Sequence, residues 1–116
     1  MANTIEIVKP MTIEVNGMNY VLEFNRNSVM SAERAGLSID NIQAMPMNTI
    51  PLLFYAAFKK NHPKITKDET DKILIDELHG LSTDELKRLI ELFNEPTKAL
   101  IRGSDGDERK NSKVSL

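Results

Sequence analysis

The chain has 116 residues, 41% of them hydrophobic and 28% charged, which fits one globular domain and excludes wholesale disorder. Fifteen Lys and Arg against 17 Asp and Glu give a net charge of −2, which argues against a dedicated nucleic-acid binder or a polybasic membrane module. The absence of cysteine excludes disulfides, thiolate metal sites and cysteine nucleophiles.

The start of the chain carries few structural signals. Residues 1–10 lack a signal-like apolar run and are expected to be flexible or weakly ordered. The longest apolar run, residues 51–58, is far shorter than the ~20 residues that a membrane span requires. We therefore expect a cytoplasmic protein without a membrane partner.

Residues 11–25 are predicted to form an antiparallel β-hairpin. Two alternating segments flank Asn16-Gly17, a dipeptide that tolerates the positive φ angles of a type I′ turn. A two-residue loop fixes the register and puts apolar pairs on one face of the hairpin. The expected pairs are Val15 with Met18, Ile13 with Tyr20, Met11 with Leu22 and, on the other face, Glu14 with Asn19.

Five helices are predicted after the hairpin, at about 26–36, 38–45, 49–61, 67–79 and 83–101. Asn25 or Asn27 can cap the first, and Gly36 can end it. The third is apolar on every face, so we expect other elements to surround it, with Pro51 in its first turn. Capping boxes beginning at Thr66 and Ser82 precede the last two, and Pro96 is expected to kink or interrupt the final helix.

The segment that follows, residues 102–116, contains Gly, Ser and mixed charge and is predicted to be a disordered tail. The predicted fold is thus α+β, mainly α. An N-terminal antiparallel hairpin packs on a bundle of about four to five helices in one domain, residues 11–101.

A catalytic constellation is not evident in this sequence. His62 and His79 follow no recognisable spacing, and each is expected to mark a helix end, His62 in an exposed loop. Asp68, Asp71 and Asp76 match no calcium loop, and no Gly-rich phosphate cradle is present. We therefore predict a protein that is not an enzyme, with no catalytic residues, no metal site and no cofactor.

Two kinds of binding surface remain. Residues 59–67 include a small basic patch that a nucleic-acid-binding regulator could use, although the body of the chain is net acidic. Apolar surface could instead bind protein: Met30, Met45 and Met47 can serve a partner surface, but are expected more often to fill the core. The residues from which core and partner contacts are expected to be drawn are Leu52, Leu53, Tyr55, Phe58, Leu89 and Phe93.

The order of segments resembles the tail assembly chaperones of siphophages, found in phages or prophages of Gram-positive bacteria. The resemblance lies in a hairpin ending V-L-E-F-N, a helix with S-A-E-R-A-G, the apolar I-P-L-L-F-Y-A-A-F, then H-P-K-I-T and two capped helices. It covers residues 11–101 and is a pattern of segment character rather than a catalytic fingerprint.

The resemblance implies a small, mostly helical protein in the host bacterial cytoplasm that is absent from the mature virion. It implies binding to the tape measure protein, whose apolar helical surface would be shielded until the tail tube polymerises. It also implies self-association into an oligomer, and a longer frameshifted product that recruits tail tube protein. The alternative is a small phage or bacterial regulator that binds nucleic acid through residues 59–67.

Overall fold

A two-stranded antiparallel sheet followed by helices makes up residues 9–101, the part of the chain that the computed structural model describes. The predicted fold class, α+β and mainly α, is confirmed. Residues 1–8 of the predicted weakly ordered start and the whole predicted tail, 102–116, lie outside the described residues. The elements are β1 (Met11–Val15), β2 (Met18–Leu22), α1 (Arg26–Arg34), a 3₁₀ turn (Ile39–Asn41), α2 (Pro46–Phe58), α3 (Lys67–Lys72), a π-helical turn (Ile73–Glu77) and α4 (Thr83–Lys98).

The hairpin has the predicted register. Asn16 and Gly17 both have positive φ angles, 52° and 81°, as a type I′ turn requires. The pairing confirms every expected partner, from Val15 with Met18 to Met11 with Leu22. Met11, Val15 and Leu22 are buried against the helices, because the side-chain period of two directs alternate residues to one face.

Helix α1 begins after Asn25, the first of the two predicted caps. The Asn25 side chain accepts a hydrogen bond from the Ser28 amide, and the Ser28 hydroxyl accepts one from the Asn25 amide. The helix ends at Arg34, and Gly36 follows with a φ of 100°. Gly36 therefore correctly indicated the end of α1, although the helix itself ends two residues before the predicted bound of 36.

The helix predicted at 38–45 was wrong, because only the 3₁₀ turn Ile39–Asn41 is helical there. Ser38 makes no side-chain capping bond. Pro46 also disfavours a helical conformation at the preceding residue, Met45, so no helix can run into α2. The segment instead connects buried Leu37 to the start of α2.

Helix α2 begins at Pro46 rather than near residue 49, and it ends at Phe58 rather than at 61. Pro46 takes the first helical position, where its missing N–H costs no bond. Pro51, predicted in the first turn, lies inside the helix. Leu53, Phe54 and Phe58 are wholly buried, so α2 supplies the centre of the core as its composition predicted.

Both predicted capping boxes are present, at Thr66 with Glu69 and at Ser82 with Glu85. The helix predicted at 67–79 changes character within its length: the α-helix ends at Lys72 and the π-helical turn continues to Glu77. In that turn the Leu78 amide donates to the Ile73 carbonyl at 2.8 Å, five residues back.

Helix α4 runs through Pro96 to Lys98, so the predicted interruption at Pro96 was wrong, and the helix stops three residues short of the predicted end at 101. Proline at this position removes the hydrogen bond to the Leu92 carbonyl, and α4 nevertheless continues through it. Leu89, Leu92 and Phe93 face the core. In the described part of the chain no helix is long and apolar enough to span a membrane.

Candidate functional site

The six apolar residues predicted as core or contact residues divide into two groups. Leu53, Phe58, Leu89 and Phe93 are buried in the core and present no surface to a partner. Leu52 and Tyr55 are half-buried and line a cleft of about 240 Å³ between α1 and α2. In this cleft the Lys59 ammonium donates to the Tyr55 hydroxyl at 3.2 Å, so the cleft has a polar end.

A different surface is apolar throughout. It is a groove of about 300 Å³ formed by the first two turns of α2, the π-helical turn and the start of α4, and we refer to it as the apolar groove. From α2 it is lined by Pro46, Met47, Ile50 and Pro51. The opposite wall consists of Leu74 and Ile75 with Gly80, Leu81 and Leu86. All nine lining residues lack a polar side-chain atom capable of strong hydrogen bonding.

Two side chains of the apolar groove are largely exposed. Met47 is 86% and Ile75 is 61% exposed, whereas Leu74 between the two walls is buried. Large apolar side chains at such exposure gain only part of their burial free energy from the fold of this chain. Adjacent exposed apolar side chains on two walls of one groove are a feature of surfaces that bind apolar partners.

The π-helical turn sets the direction of Ile75. Ile73 and Leu74 are buried and Ile75 is exposed, so the apolar run I-L-I is divided between the core and the groove. After the turn, His79 and Gly80 adopt positive φ angles of 56° and 94°. The Gly80 amide then donates to the Leu74 carbonyl at 2.8 Å, which folds the chain back and brings Leu81 to the groove.

The surroundings of the apolar groove are neutral on one side and acidic on the other. Residues 41–58, which include the α2 wall, contain no charged side chain. Residues 73–86, which include the opposite wall, contain Asp76, Glu77, Asp84 and Glu85, and Lys72 and Lys87 flank this range on either side. Four acidic and two basic side chains give residues 72–87 a net charge of −2, which favours a partner with basic groups beside an apolar stripe.

The groove residues were not among the six predicted ones. Of the three methionines expected to fill the core, Met45 is 49% exposed, Met47 is more exposed still, and Met30 is half-buried. The one local signal near Met47 is the preceding Pro46, which is well suited to the first position of a helix and so places Met47 in a first turn. The other wall has no local signal, because it is assembled by the π-helical turn.

His62 is not an exposed loop residue as predicted. It is half-buried, and its Nε2 accepts a hydrogen bond from the Val21 amide of β2 at 3.0 Å. Its ring packs edge-on against Tyr20, with 5.1 Å between ring centroids. His62 thus fastens the hairpin to the segment after α2, a structural role that the sequence alone did not indicate.

The same segment holds Glu23. Asn61 donates to both the Val21 carbonyl and the Glu23 carboxylate, and the Lys60 ammonium lies 3.0 Å from that carboxylate. The pKa of the Glu23 carboxyl is lowered below 4.5, first because Asn61 donates to it and then because Lys60 lies beside it, while partial burial opposes the change.

The predicted basic patch, residues 59–67, is mostly occupied by contacts within the chain. Lys60 pairs with Glu23, and Lys67 pairs with both carboxylate oxygens of Asp71 at 3.0 Å. Lys59 donates to the Pro63 carbonyl as well as to Tyr55. A phosphate backbone would have to compete with these partners, which makes the patch a poorer nucleic-acid surface than its composition suggested.

Side chains that could bind a metal ion are scattered over the described part of the chain. Over residues 9–101, no three His, Asp or Glu side chains are arranged to hold a metal ion. The cleft lined by His62 also contains Lys64, Lys72, Glu69 and Glu77, but these lysines and glutamates mix both signs across about 670 Å³. What the described surface offers most distinctly is the apolar groove.

Comparison with known proteins gives a family and no function. The whole chain, residues 1–116, matches a family described as a domain of unknown function, DUF5055. The chain matched no curated protein and no solved structure.

Proposed function

The chain belongs to the DUF5055 family, and we propose that it is a non-catalytic phage tail assembly chaperone that binds and shields the tape measure protein. The observation that carries this proposal is the apolar groove, with Met47 and Ile75 largely exposed on its two walls. The segment order that resembles siphophage tail assembly chaperones supplies the identity of the client.

The chemistry of the apolar groove favours a helical client. Its lining side chains provide no hydrogen-bond partners, so any backbone that enters must have its N–H and C=O groups already paired. A helix satisfies this condition by itself, whereas an extended peptide does not. An amphipathic helix can lay apolar residues spaced three or four apart along such a groove.

The size and charge of the site suit a reversible complex. Burying two or three large apolar side chains of the client contributes about 2 kcal/mol for each, before association costs are subtracted. Asp76 adjoins Ile75 of the groove, and Leu86 lies between Glu85 and Lys87. The net charge of −2 over residues 72–87 favours a client helix with Lys or Arg beside its apolar stripe.

The remaining parts of the proposal follow from the resemblance. The chaperone acts in the host bacterial cytoplasm during tail assembly and is absent from the mature virion. It works as an oligomer, and a longer frameshifted product recruits tail tube protein. A tail tube gene upstream and a very long helical gene downstream of the coding sequence would support this assignment.

The test is co-expression with the tape measure protein encoded beside it. The full chain should keep the client in the soluble fraction, and Met47→Asp or Ile75→Asp should abolish most of that gain. Both side chains are exposed, so the fold should tolerate the change, which circular dichroism checks.

Met18→Asp is the matched control, because Met18 is also a largely exposed methionine, at 55%, but lies at the hairpin turn away from the groove. It should leave client solubility unchanged. If the full chain gives the client no gain in solubility, the proposed function is wrong; if the gain survives both groove substitutions, the client binds elsewhere. A salt-sensitive DNA mobility shift that is lost on changing Lys59, Lys60, Lys64 and Lys67 to Glu would instead support the regulator.

A further inference from the structure

Within residues 9–101, the two edges of the β-hairpin differ in their hydrogen bonds to the rest of the fold. On the β2 edge, the Val21 amide donates to His62, the Val21 carbonyl accepts from Asn61, and the Glu23 amide donates to the Ala57 carbonyl. Helix α2 and the segment after it therefore occupy this edge. Exposed strand edges invite pairing with another strand, and covering one is a common way to prevent it.

On the β1 edge the corresponding groups belong to Thr12 and Glu14. In the register of this hairpin these residues lie opposite Val21 and Asn19. The Val21 amide donates outward to His62, so the Thr12–Val21 pair and, by alternation, the Glu14–Asn19 pair are non-hydrogen-bonded pairs. The N–H and C=O groups of Thr12 and Glu14 therefore point away from β2. Within residues 9–101 they have no hydrogen-bond partner, and both side chains are exposed.

From this asymmetry we propose that β1 pairs with β1 of a second copy of the chain, forming a continuous four-stranded antiparallel sheet across a two-fold axis. The strand is self-complementary in one register, with Ile13 opposite Ile13 of the second copy. Thr12 then faces Glu14 of the second copy, and the outward N–H and C=O groups of both residues make four hydrogen bonds across the axis.

Neighbouring registers are worse for identifiable reasons. A shift that centres the axis on Glu14 puts two carboxylates directly opposite each other, which is destabilising. A shift that centres it on Thr12 puts Pro10 opposite Glu14. Pro10 has no N–H to donate, and its carbonyl already accepts from Arg88 at 2.8 Å. Only the Ile13-centred register avoids both faults.

The pairing also suits the apolar face of the sheet. Met11 and Val15 are buried and Ile13 is half-buried, so the Ile13 side chains of two copies would meet beside the two cores. A sheet of four strands is more stable than an isolated pair of strands. The proposal is independent of any client, because the β1 edge and the apolar groove are formed by different residues.

The first test uses analytical ultracentrifugation of the full chain across a range of concentrations. The wild type should form a dimer, and Thr12→Pro should be monomeric, because proline removes an outward N–H that the hairpin itself does not use. The matched control is Asn19→Pro, which removes an outward N–H from β2 instead and should leave the dimer intact. A wild type that is monomeric throughout would overturn the proposal.

A charge series tests the register and does not depend on how well a proline is tolerated. Thr12→Lys places two Lys residues opposite the Glu14 residues and should tighten the dimer about fivefold or more, whereas Thr12→Glu should weaken it by a similar factor. Thr12 is exposed, so neither change should disturb the monomer. If the affinity of the dimer is the same across this series, or if the dimer persists in Thr12→Pro, the copies associate through another surface and the proposed pairing is refuted.

Discussion

The Val21 amide of strand β2 donates a hydrogen bond to Nε2 of His62, 41 residues later in the chain, at 3.0 Å. This bond ties the hairpin to the segment that follows the central helix. Because Val21 is half-buried, its N–H has little access to water if the imidazole is removed. His62 thus holds the hairpin against the segment that follows α2.

Replacing His62 tests this fastening. His62→Ala leaves the Val21 amide unpaired and removes the ring packed on Tyr20, so the free energy of unfolding should fall by about 1–3 kcal/mol in urea denaturation. His62→Gln retains an acceptor oxygen and should lose less. Hydrogen exchange at Val21 should be faster in the Ala variant alone; equal exchange in all three proteins would contradict this role.

Glu23 should make stability depend on pH. Its folded pKa is lowered below the usual 4.5, chiefly by the hydrogen bond from Asn61, so its contribution is fully present above pH 4.5 and is lost as the pH falls through the folded pKa. Relative to Glu23→Gln, the wild type should be more stable at pH 6 by less than about 1 kcal/mol, because the ion pair is partly solvated.

Unfolding curves of both proteins between pH 6 and pH 3 measure this effect. The difference between them should shrink steadily below pH 4.5. In an Asn61→Ala background the whole difference should be smaller, since the first cause of the pKa shift is gone. A difference that grows on acidification would have the wrong sign and would refute the assignment.

Replacing the neighbouring leucines Leu52 and Leu53 of α2 by alanine should lower the free energy of unfolding by very different amounts. Leu53 is wholly buried, so Leu53→Ala should lower the free energy of unfolding by about 2–5 kcal/mol. Leu52 is half-buried beside the small cleft of α1 and α2, and Leu52→Ala should cost markedly less. Chemical denaturation of the two variants checks the difference, and equal costs would show that α2 is rotated from the orientation described.

Replacing Pro51 by alanine should raise the stability of the chain while weakening its binding of the client. Pro51→Ala restores the hydrogen bond from residue 51 to the Met47 carbonyl, a gain of up to about 3 kcal/mol that is partly offset by lost packing. The thermal midpoint should therefore rise. The same change replaces the proline ring in one wall of the apolar groove by a smaller methyl group, so less tape measure protein should stay soluble.

Pro96→Ala provides the control for this prediction. Pro96 also lies inside a helix and is half-buried, but it is not part of the apolar groove. Its replacement should raise the thermal midpoint without affecting the client. If both substitutions reduce client solubility equally, the loss reflects helix rigidity rather than groove shape.

Features set by neighbouring residues were predictable from the sequence. Asn16-Gly17 determines the hairpin turn and with it the entire register, because a two-residue loop leaves no freedom in pairing. The boxes at Thr66 and Ser82 each close within three residues, so their hydrogen bonds depend on little else.

Features set by contacts distant in sequence were not predictable. Either Pro46 or Pro51 could have begun α2 on local rules, and in the structure α2 begins at Pro46, with Thr49 buried one turn later. The I-L-I run at 73–75 gives no sign of π-helical hydrogen bonding. The apolar groove joins walls about 30 residues apart in sequence, and no pattern within one segment reveals it.

The π-helical turn Ile73–Glu77 introduces a phase shift, because it holds one residue more than an α-helical turn. Removing a single residue there would let the helix wind normally and rotate Ile75 by about 100° relative to Leu81. A deletion in this turn would therefore misalign the two walls of the groove, whereas a substitution there changes a single side chain. Relatives that use it should vary the side chains between Thr66 and Ser82 freely on the outer face while conserving the interval of 16 positions.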